Sequence, residues 1–240
     1  MNDSFFSIIQ QVEHHHIVNS EEKTAAMTYL HSAFPHIVSR TSPTPVFLCI
    51  AGIPGVGKTE YIRKKGFSDT FVVVDPDSYR KYAPGYYSFS SDDVVEKTKE
   101  FVNYLSTLII AIALCAGSSI CIPSTFCATP FWASFLNSIS SYIAEKDYLT
   151  ELVILDQPKV LSFQSFVNRS TSFTNDEPIA RKADISFYSD VSQKFIYSIH
   201  SLIKTGFFSS VTLSTRMSLD QDYINENNDR LYAFLSQGDD

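Results

Sequence analysis

AGIPGVGKTE, residues 51–60, is the stretch on which the reading of this chain turns. It follows the short apolar run VFLCI, residues 46–50, and leads into a helical pattern over 58–66. Gly52, Gly55, Gly57, Lys58 and Thr59 fit the spacing GxxxxGK[ST], with Ile53, Pro54 and Val56 filling the loop. The chemistry explains the spacing. Glycines let consecutive backbone N–H groups turn inward on an anion, and the start of the helix adds its partial positive charge. A lysine at Lys58 reaches the β and γ phosphates, and the Thr59 hydroxyl can hold Mg2+. A plain strand-to-helix turn needs neither three glycines in register nor the Lys-Thr pair. The stretch is therefore expected to bind ATP or GTP together with Mg2+.

Working outward, four more apolar runs read as buried strands: FVVVD at 71–75, SICIP at 119–123, LVILD at 152–156 and VTLS near 210–214. Helical intervals over about 58–66, 91–116, 130–145 and 189–205 separate them. Alternating strand and helix predicts an α/β fold of P-loop NTPase type, a mostly parallel sheet with helices on both faces. Before it, residues 1–40 read as a helical segment whose second helix is capped at Ser20-Glu21-Glu22, and SRTSPTP, residues 39–45, reads as a linker. Strands and helices alternate from 46 to 214, and 217–240 read as a peripheral helix or frayed tail.

Bulk properties narrow the function. The chain has 240 residues, 44% of them apolar, enough for one sizeable core. A formal net charge of −7 argues against a broad nucleic-acid footprint, which needs clustered Lys and Arg. Cys49, Cys115, Cys121 and Cys127 form no CxxC pair and read as buried thiols of a reducing compartment, so a cytoplasmic protein is expected. The N-terminal MNDSFFSIIQQ carries an acid where a secretory leader has Lys or Arg. YLSTLIIAIALCAGSSICIP, residues 104–123, is apolar enough to suggest a membrane span, but Gly117-Ser118-Ser119 divides it into a buried helix and a strand. His14, His15 and His16, adjacent on a helix, point in three directions and read as solvated surface rather than a metal site.

The second strand ends in Asp75-Pro76-Asp77, two carboxylates at the carboxyl end of a parallel strand, the edge where open α/β sheets bind ligands. One could accept the proton of an acceptor hydroxyl while the other orients it or supports Mg2+. Either could instead cap the helix that starts at Ser78. LVILD also ends in an acid, Asp156, which matches a Walker B aspartate holding Mg2+ through water.

From Val46 to Arg216 the chain resembles the zeta toxins, the P-loop kinases of bacterial toxin–antitoxin pairs. The likeness rests on the glycine loop, then VVVDPDSYRKYAPGY, QPKVLSFQSFVNR, NDEPIARK and SLIKTGFFSSVTLSTR, in the family's order. It implies that Asp77 is the general base, that Asp75 lies on the substrate side, and that Arg169 and Arg181 brace the transferring phosphates. Lys159 aligns with a lysine common in such sequences and is either a phosphate or substrate contact or a solvated side chain. The family's acceptor is a nucleotide-activated amino sugar, held by a Glu-Gly-Thr-Gly-Arg-like segment. Here that segment reads Pro123-Ser124-Thr125-Phe126-Cys127, and only Thr125 survives. The donor side is thus expected intact and the acceptor side rebuilt, with Phe126, Phe131 and Trp132 serving either a different acceptor or the core.

The resemblance implies a kinase moving the γ-phosphoryl of ATP or GTP to a small nucleotide-like or sugar-nucleotide acceptor, with room for a separate antitoxin protein as partner; the charge and the divided apolar stretch lead to the expectation of no nucleic-acid and no membrane partner. Such a toxin works in its own cytoplasm or after delivery into another cell. Two other classes stay open: a nucleotide-binding interaction module without catalysis, and an NTPase switch that depends on Asp156 rather than Asp77. An inhibitory role for the first forty residues, folded over the glycine loop, is a further expectation.

Overall fold

β1 (Val46–Ala51) is buried along nearly its whole length, as its uninterrupted apolar sequence predicts. In this computed structural model, which describes residues 17–169, 184–219 and 221–238, it lies inside a six-stranded sheet. The other strands are β2 (Val72–Val73), β3 (Ile120–Ser124), β4 (Leu149–Asp156), β5 (Ser210–Thr215) and β6 (Ile224–Asn225), in the spatial order β2-β3-β1-β4-β5-β6. All neighbours are parallel except β5 and β6, which pair antiparallel. From β1 the chain goes first to the β2–β3 side and then crosses to β4 and β5. The carboxyl end of β1 is therefore the switch point of the sheet, where such folds open a ligand crevice.

The helices follow the sequence pattern with some differences. α1 (Ser20–Val38) starts one residue earlier than expected: Asn19, not Ser20, is the cap, and it forms a reciprocal box with Glu22. α1 sits against the β2 edge, where Tyr29, Ala33, His36 and Ile37 line a cavity of about 230 Å³ with Phe71, Val72, Val73 and Tyr79. Residues 20–38 thus flank the sheet and do not lie over the loop that β1 feeds.

The glycine loop enters α2 (Lys58–Lys64), then α3 (Phe67–Thr70), β2 and α4 (Pro76–Tyr79). The expected helix over 91–116 is two, α5 (Val94–Lys97) and α6 (Lys99–Ala116), joined at the fully buried Thr98. α6 is largely apolar and mostly buried from Phe101 to Leu114, which is how a core helix imitates a membrane span in composition. It stops at Gly117, whose φ of 70° is the left-handed cap that glycine adopts without strain.

The remaining helices are α7 (Thr129–Glu145), α8 (Lys159–Arg169), α9 (Ile185–Ile203) and α10 (Asn228–Leu235). Residues 221–238 do not hang free: β6 extends the sheet, and Leu231 and Phe234 of α10 join the same core cluster as Ala26, Leu30 and Ile37 of α1. The four cysteines are free thiols, and burial pushes those of Cys49 and Cys121 well up.

Candidate active site

The loop of residues 52–57 leaves β1 beside the end of β3, with the Gly52 N–H donating to the Ser124 carbonyl at 3.2 Å. Its glycines are required by geometry at two places. Gly55 has φ +79°, and a Cβ there would lie 2.0 Å from the Ser162 carbonyl oxygen of α8. Gly57 has φ +91°, and a Cβ would lie 2.6 Å from the Arg216 guanidinium. The loop is wedged between α8 and the end of β5, and only glycine fits both positions. Lys58 folds its ammonium back onto the loop, donating to the carbonyls of Gly52 at 2.7 Å and Ile53 at 3.2 Å. Those two acceptors hold the cation in the loop's mouth. Thr59 is exposed at the second residue of α2, Pro54 is half-buried, and Val56 is buried.

Two strands away, β2 ends after Val73, which pairs with Cys121, and Asp75 and Asp77 follow on the carboxyl edge that carries the loop. Strand spacing of roughly 4.8 Å puts β2 about 10 Å from β1. The two acids have separate duties. Asp75 is the cap of α4, its carboxylate accepting from the Asp77 N–H at 3.1 Å. Asp77 accepts from Arg80 Nε at 3.1 Å. Capping therefore accounts for Asp75 and leaves Asp77 for other work, although the sequence allowed either acid to be the cap. Arg80 is held in turn by the Val95 carbonyl at 3.0 Å and Thr98 Oγ1 at 2.7 Å, which ties Asp77 to the α5–α6 junction.

β3 runs between these two places, so the altered segment 123–127 lies between the loop and Asp77. Pro123 sits within a central strand, where a missing N–H normally breaks a ladder. Here the N–H would point toward β2, because Cys121, of the same parity, accepts from Val74 on that side. The ladder between β2 and β3 stops at that point, its last bond running from the Val74 N–H to the Cys121 carbonyl. Thr125 is half-buried at this position. Phe126 is fully buried with φ +56°, an uncommon backbone state for a bulky residue, so it serves the core and is not acceptor surface. Trp132 packs on Phe126 with ring centres 4.6 Å apart, while Phe131 stays 59% exposed. Cys127, half-buried, has its thiol raised by burial, a push that hydrogen bonds with Ser198 and Thr125 and, less, the charge of Lys58 partly oppose.

On the other flank, Asp156 ends β4. Burial raises its carboxyl, against the Gln157 N–H and Lys159. A desolvated acid of this kind gains from a nearby cation. Lys159 begins α8 as an exposed side chain, its carbonyl accepting from Tyr188 Oη at 3.0 Å. Among the described residues no group of three or more His, Cys, Asp or Glu could hold a metal unaided. That donor set suits Mg2+, which usually takes one or two protein oxygens and fills its shell with phosphates and water. Thr59, with Asp156 through water, would supply the protein's share.

Position 169 closes α8, one turn beyond Phe166, whose N–H a Cβ on Gly55 would also approach. The Arg169 side chain, Arg181 and His14 to His16 lie outside the described residues. Several residues that the sequence did not single out belong to the site. Arg216, with its side chain 2% exposed, donates from Nε to Gln157 Oε1 at 2.6 Å, from Nη1 to Glu60 at 3.0 Å and from Nη2 to the Val56 carbonyl at 3.3 Å. The one available signal was positional: Gln157 and Arg216 each follow the carboxyl end of a parallel strand, as Asp77 nearly does.

A glycine loop at the switch point of a parallel sheet, followed by a lysine and sharing its carboxyl edge with Asp77, defines an α/β fold of P-loop type. The family model described as Zeta toxin matches residues 33–230, and the chain belongs to that family. It is 24% identical over 180 residues to Toxin zeta of Enterococcus hirae and to Toxin zeta of Streptococcus pyogenes, an alignment that covers 72% of this chain. The chain spans 61% of the length of these curated relatives. Among solved structures it is similar to that of the PezAT chromosomal toxin–antitoxin system of Streptococcus pneumoniae, with a TM-score of 0.66 and 20% identity over 92% of this chain and 87% of the other. It is also similar to AvrRxo1-ORF1:ORF2 with ATP, with a TM-score of 0.61 and 15% identity over 91% of this chain and 73% of the other. At these identities the likeness shows a shared fold.

Proposed function

We propose that this protein is a zeta-toxin-like kinase that transfers the γ-phosphoryl group of ATP or GTP to a hydroxyl of a small nucleotide-like or sugar-nucleotide acceptor. The observation that supports it most is the placement of the Gly52–Thr59 loop and Asp77 on one carboxyl edge, with β3 between them. Lys58 and the loop N–H groups hold the donor phosphates, and Asp77, relieved of capping by Asp75, accepts the proton from the acceptor hydroxyl. When bound, Mg2+ would neutralise charge on the phosphates, held on the protein side by Thr59 and, through water, by Asp156. Arg169 and Arg181 are assigned to the transferring phosphoryl group on the family likeness alone.

The acceptor differs from the family's amino-sugar nucleotide, because Pro123 and Cys127 stand where a glutamate and an arginine would bind it. The protein is expected to act in the cytoplasm of its own cell or of a cell into which it is delivered. A separate antitoxin is its expected partner, in keeping with the toxin–antitoxin nature of the similar PezAT system. The test is to incubate the protein with labelled ATP and a metabolite extract and to identify the phosphorylated product by mass spectrometry. Asp77→Asn should abolish the product while ATP binding persists. A second reading, a nucleotide-binding module without catalysis, is favoured by the same altered segment; binding of ATP with no transfer by the wild type would establish it.

A further inference from the structure

The outer face of the glycine loop is held by side chains that the proposed chemistry does not use. Gln157 Nε2 donates to the Gly55 carbonyl at 3.2 Å and to Ser162 Oγ at 2.9 Å. The next carbonyl, that of Val56, accepts from Arg216 Nη2 at 3.3 Å and also from Tyr223 Oη. Arg216 and Gln157 are themselves joined, Nε to Oε1 at 2.6 Å, and the guanidinium lies 4.8 Å from the centre of the Tyr223 ring. Three side chains from the ends of β4 and β5 and from the turn before β6 thus converge on two consecutive loop carbonyls.

A trans peptide is planar, with its C=O and the following N–H pointing in opposite directions. Fixing the Val56 carbonyl on the outside therefore fixes the Gly57 N–H toward the inside. We propose that Arg216, Gln157 and Tyr223 form a carbonyl clamp that sets the peptide planes of the glycine loop for a polyphosphate, with Arg216 as its central positioning residue. The proposal rests on the reading of the loop as a phosphate site.

Packing alone does not account for an arginine here. A buried guanidinium carries a desolvation cost that an apolar side chain of like volume avoids, so what it contributes is direction. Its planar fork meets Gln157, Glu60 and Val56 at once, and a lysine ammonium at the end of a flexible stem cannot reproduce that. Gly57 is part of the same device, since any side chain there would enter the space of Arg216 Nη2. Glu60, one residue past Thr59, balances the buried charge and ties the clamp to α2.

The experiment measures the MgATP dissociation constant by calorimetry, well below the melting temperature, alongside the melting temperature of the nucleotide-free protein. Arg216→Lys keeps a charge for Glu60 but loses the fork, and should weaken MgATP by at least about tenfold. Tyr223→Phe removes one hydroxyl donor to Val56 and should weaken it by roughly three- to tenfold. Asp222→Asn, which cuts only the exposed 2.6 Å pair between the β5–β6 turn and Lys64, should leave the affinity unchanged. Melting temperatures that fall while both variants bind MgATP within twofold of wild type overturn the clamp and leave the loop reading standing. If Arg216→Lys does not fold, Tyr223→Phe decides by the same criterion. A wild type that binds no ATP overturns the phosphate reading, and the clamp with it.

Discussion

Arg80 donates from Nε to Asp77 Oδ1 at 3.1 Å while its Nη1 grips Thr98 Oγ1 at 2.7 Å, so the proposed base is anchored to the start of the buried helix α6. Thr98 is fully buried and its hydroxyl donates to the Val94 carbonyl at 2.6 Å, which makes the anchor rigid. A carboxylate that must meet a hydroxyl proton gains rate from being held in one rotamer. Arg80→Lys should lower kcat by about ten- to a hundredfold while the KM for ATP stays near wild type. Steady-state kinetics on the identified acceptor check it; a rise in the KM for ATP with kcat unchanged contradicts the assignment.

Gly55→Ala tests the wedge between the loop and α8. The added methyl meets the φ of +79° and a backbone oxygen that cannot move without shifting the helix. The left-handed conformation alone costs roughly 1–2 kcal/mol, and the clash adds to it. MgATP binding should be lost even in the fraction that remains folded, as measured by calorimetry after confirming the fold by circular dichroism. Gly66→Ala, also at positive φ but with open space around it, should cost only the conformational part and leave binding intact.

These two experiments touch features of different legibility. Gly52 to Thr59 could be read because the motif is contiguous: one short segment carries the turn, the cation and the hydroxyl. Asp77 could be placed because the apolar run before it marks a strand end. The duties of Asp75 and Asp77 could not be divided, because a cap and a base look alike until one N–H is seen on one oxygen. Arg216 escaped notice for a different reason, since its partners Glu60 and Val56 are 156 and 160 residues away. No local pattern records a contact that only the sheet order creates. β2 shows the opposite limit, with a five-residue run, four of it apolar, predicting a strand where only Val72 and Val73 are in the ladder register, as the chain turns into α4 at Pro76. α1 and α10 follow the helical pattern, but the side on which each packs depends on the finished sheet. Phe126 was legible as an aromatic and not as a core residue, because its burial depends on a positive φ that no sequence pattern signals for phenylalanine.

The buried Arg216 also predicts an acid sensitivity. Burial pushes the Glu60 carboxyl up, but hydrogen bonds from Arg216 and Lys64 outweigh it and hold it below the ordinary 4.5. A carboxyl lowered by folding contributes stability that is present above its unfolded value and lost as pH falls through its folded one. The melting temperature should therefore hold this contribution at neutral pH and lose it below about pH 4.5. Glu60→Gln should melt lower than wild type at pH 7, and the gap should narrow on acidification. Melting curves between pH 7 and pH 3 decide it, and a gap that stays constant contradicts the pairing.

Asp156 carries the opposite sign. Its carboxyl is raised by burial, with the Gln157 N–H and Lys159 offsetting only part of the effect. Its charged form is thus less comfortable in the folded protein than in the unfolded chain, and ionised Asp156 subtracts stability at neutral pH. That penalty should fade as pH falls through the raised folded value. Asp156→Asn keeps the shape and removes the charge, so without nucleotide it should melt higher at pH 7, by an amount on the order of 2–4 °C per kcal/mol gained. The same change removes an acceptor for Mg2+-bound water and should weaken MgATP more than it weakens metal-free ATP. The size of the catalytic effect separates the rival chemistries. In the proposed kinase, Asp156→Asn lowers transfer through weaker MgATP binding and saturating MgATP restores most of it, whereas Asp77→Asn is not rescued at any concentration. If Asp156→Asn abolishes turnover at saturation while Asp77→Asn leaves ATP hydrolysis intact, the protein is an NTPase switch and Asp77 is a structural acid. A protein in which the uncharged Asp156→Asn form is both more stable and nearly as active at saturation has a carboxylate there for the metal, not for the fold.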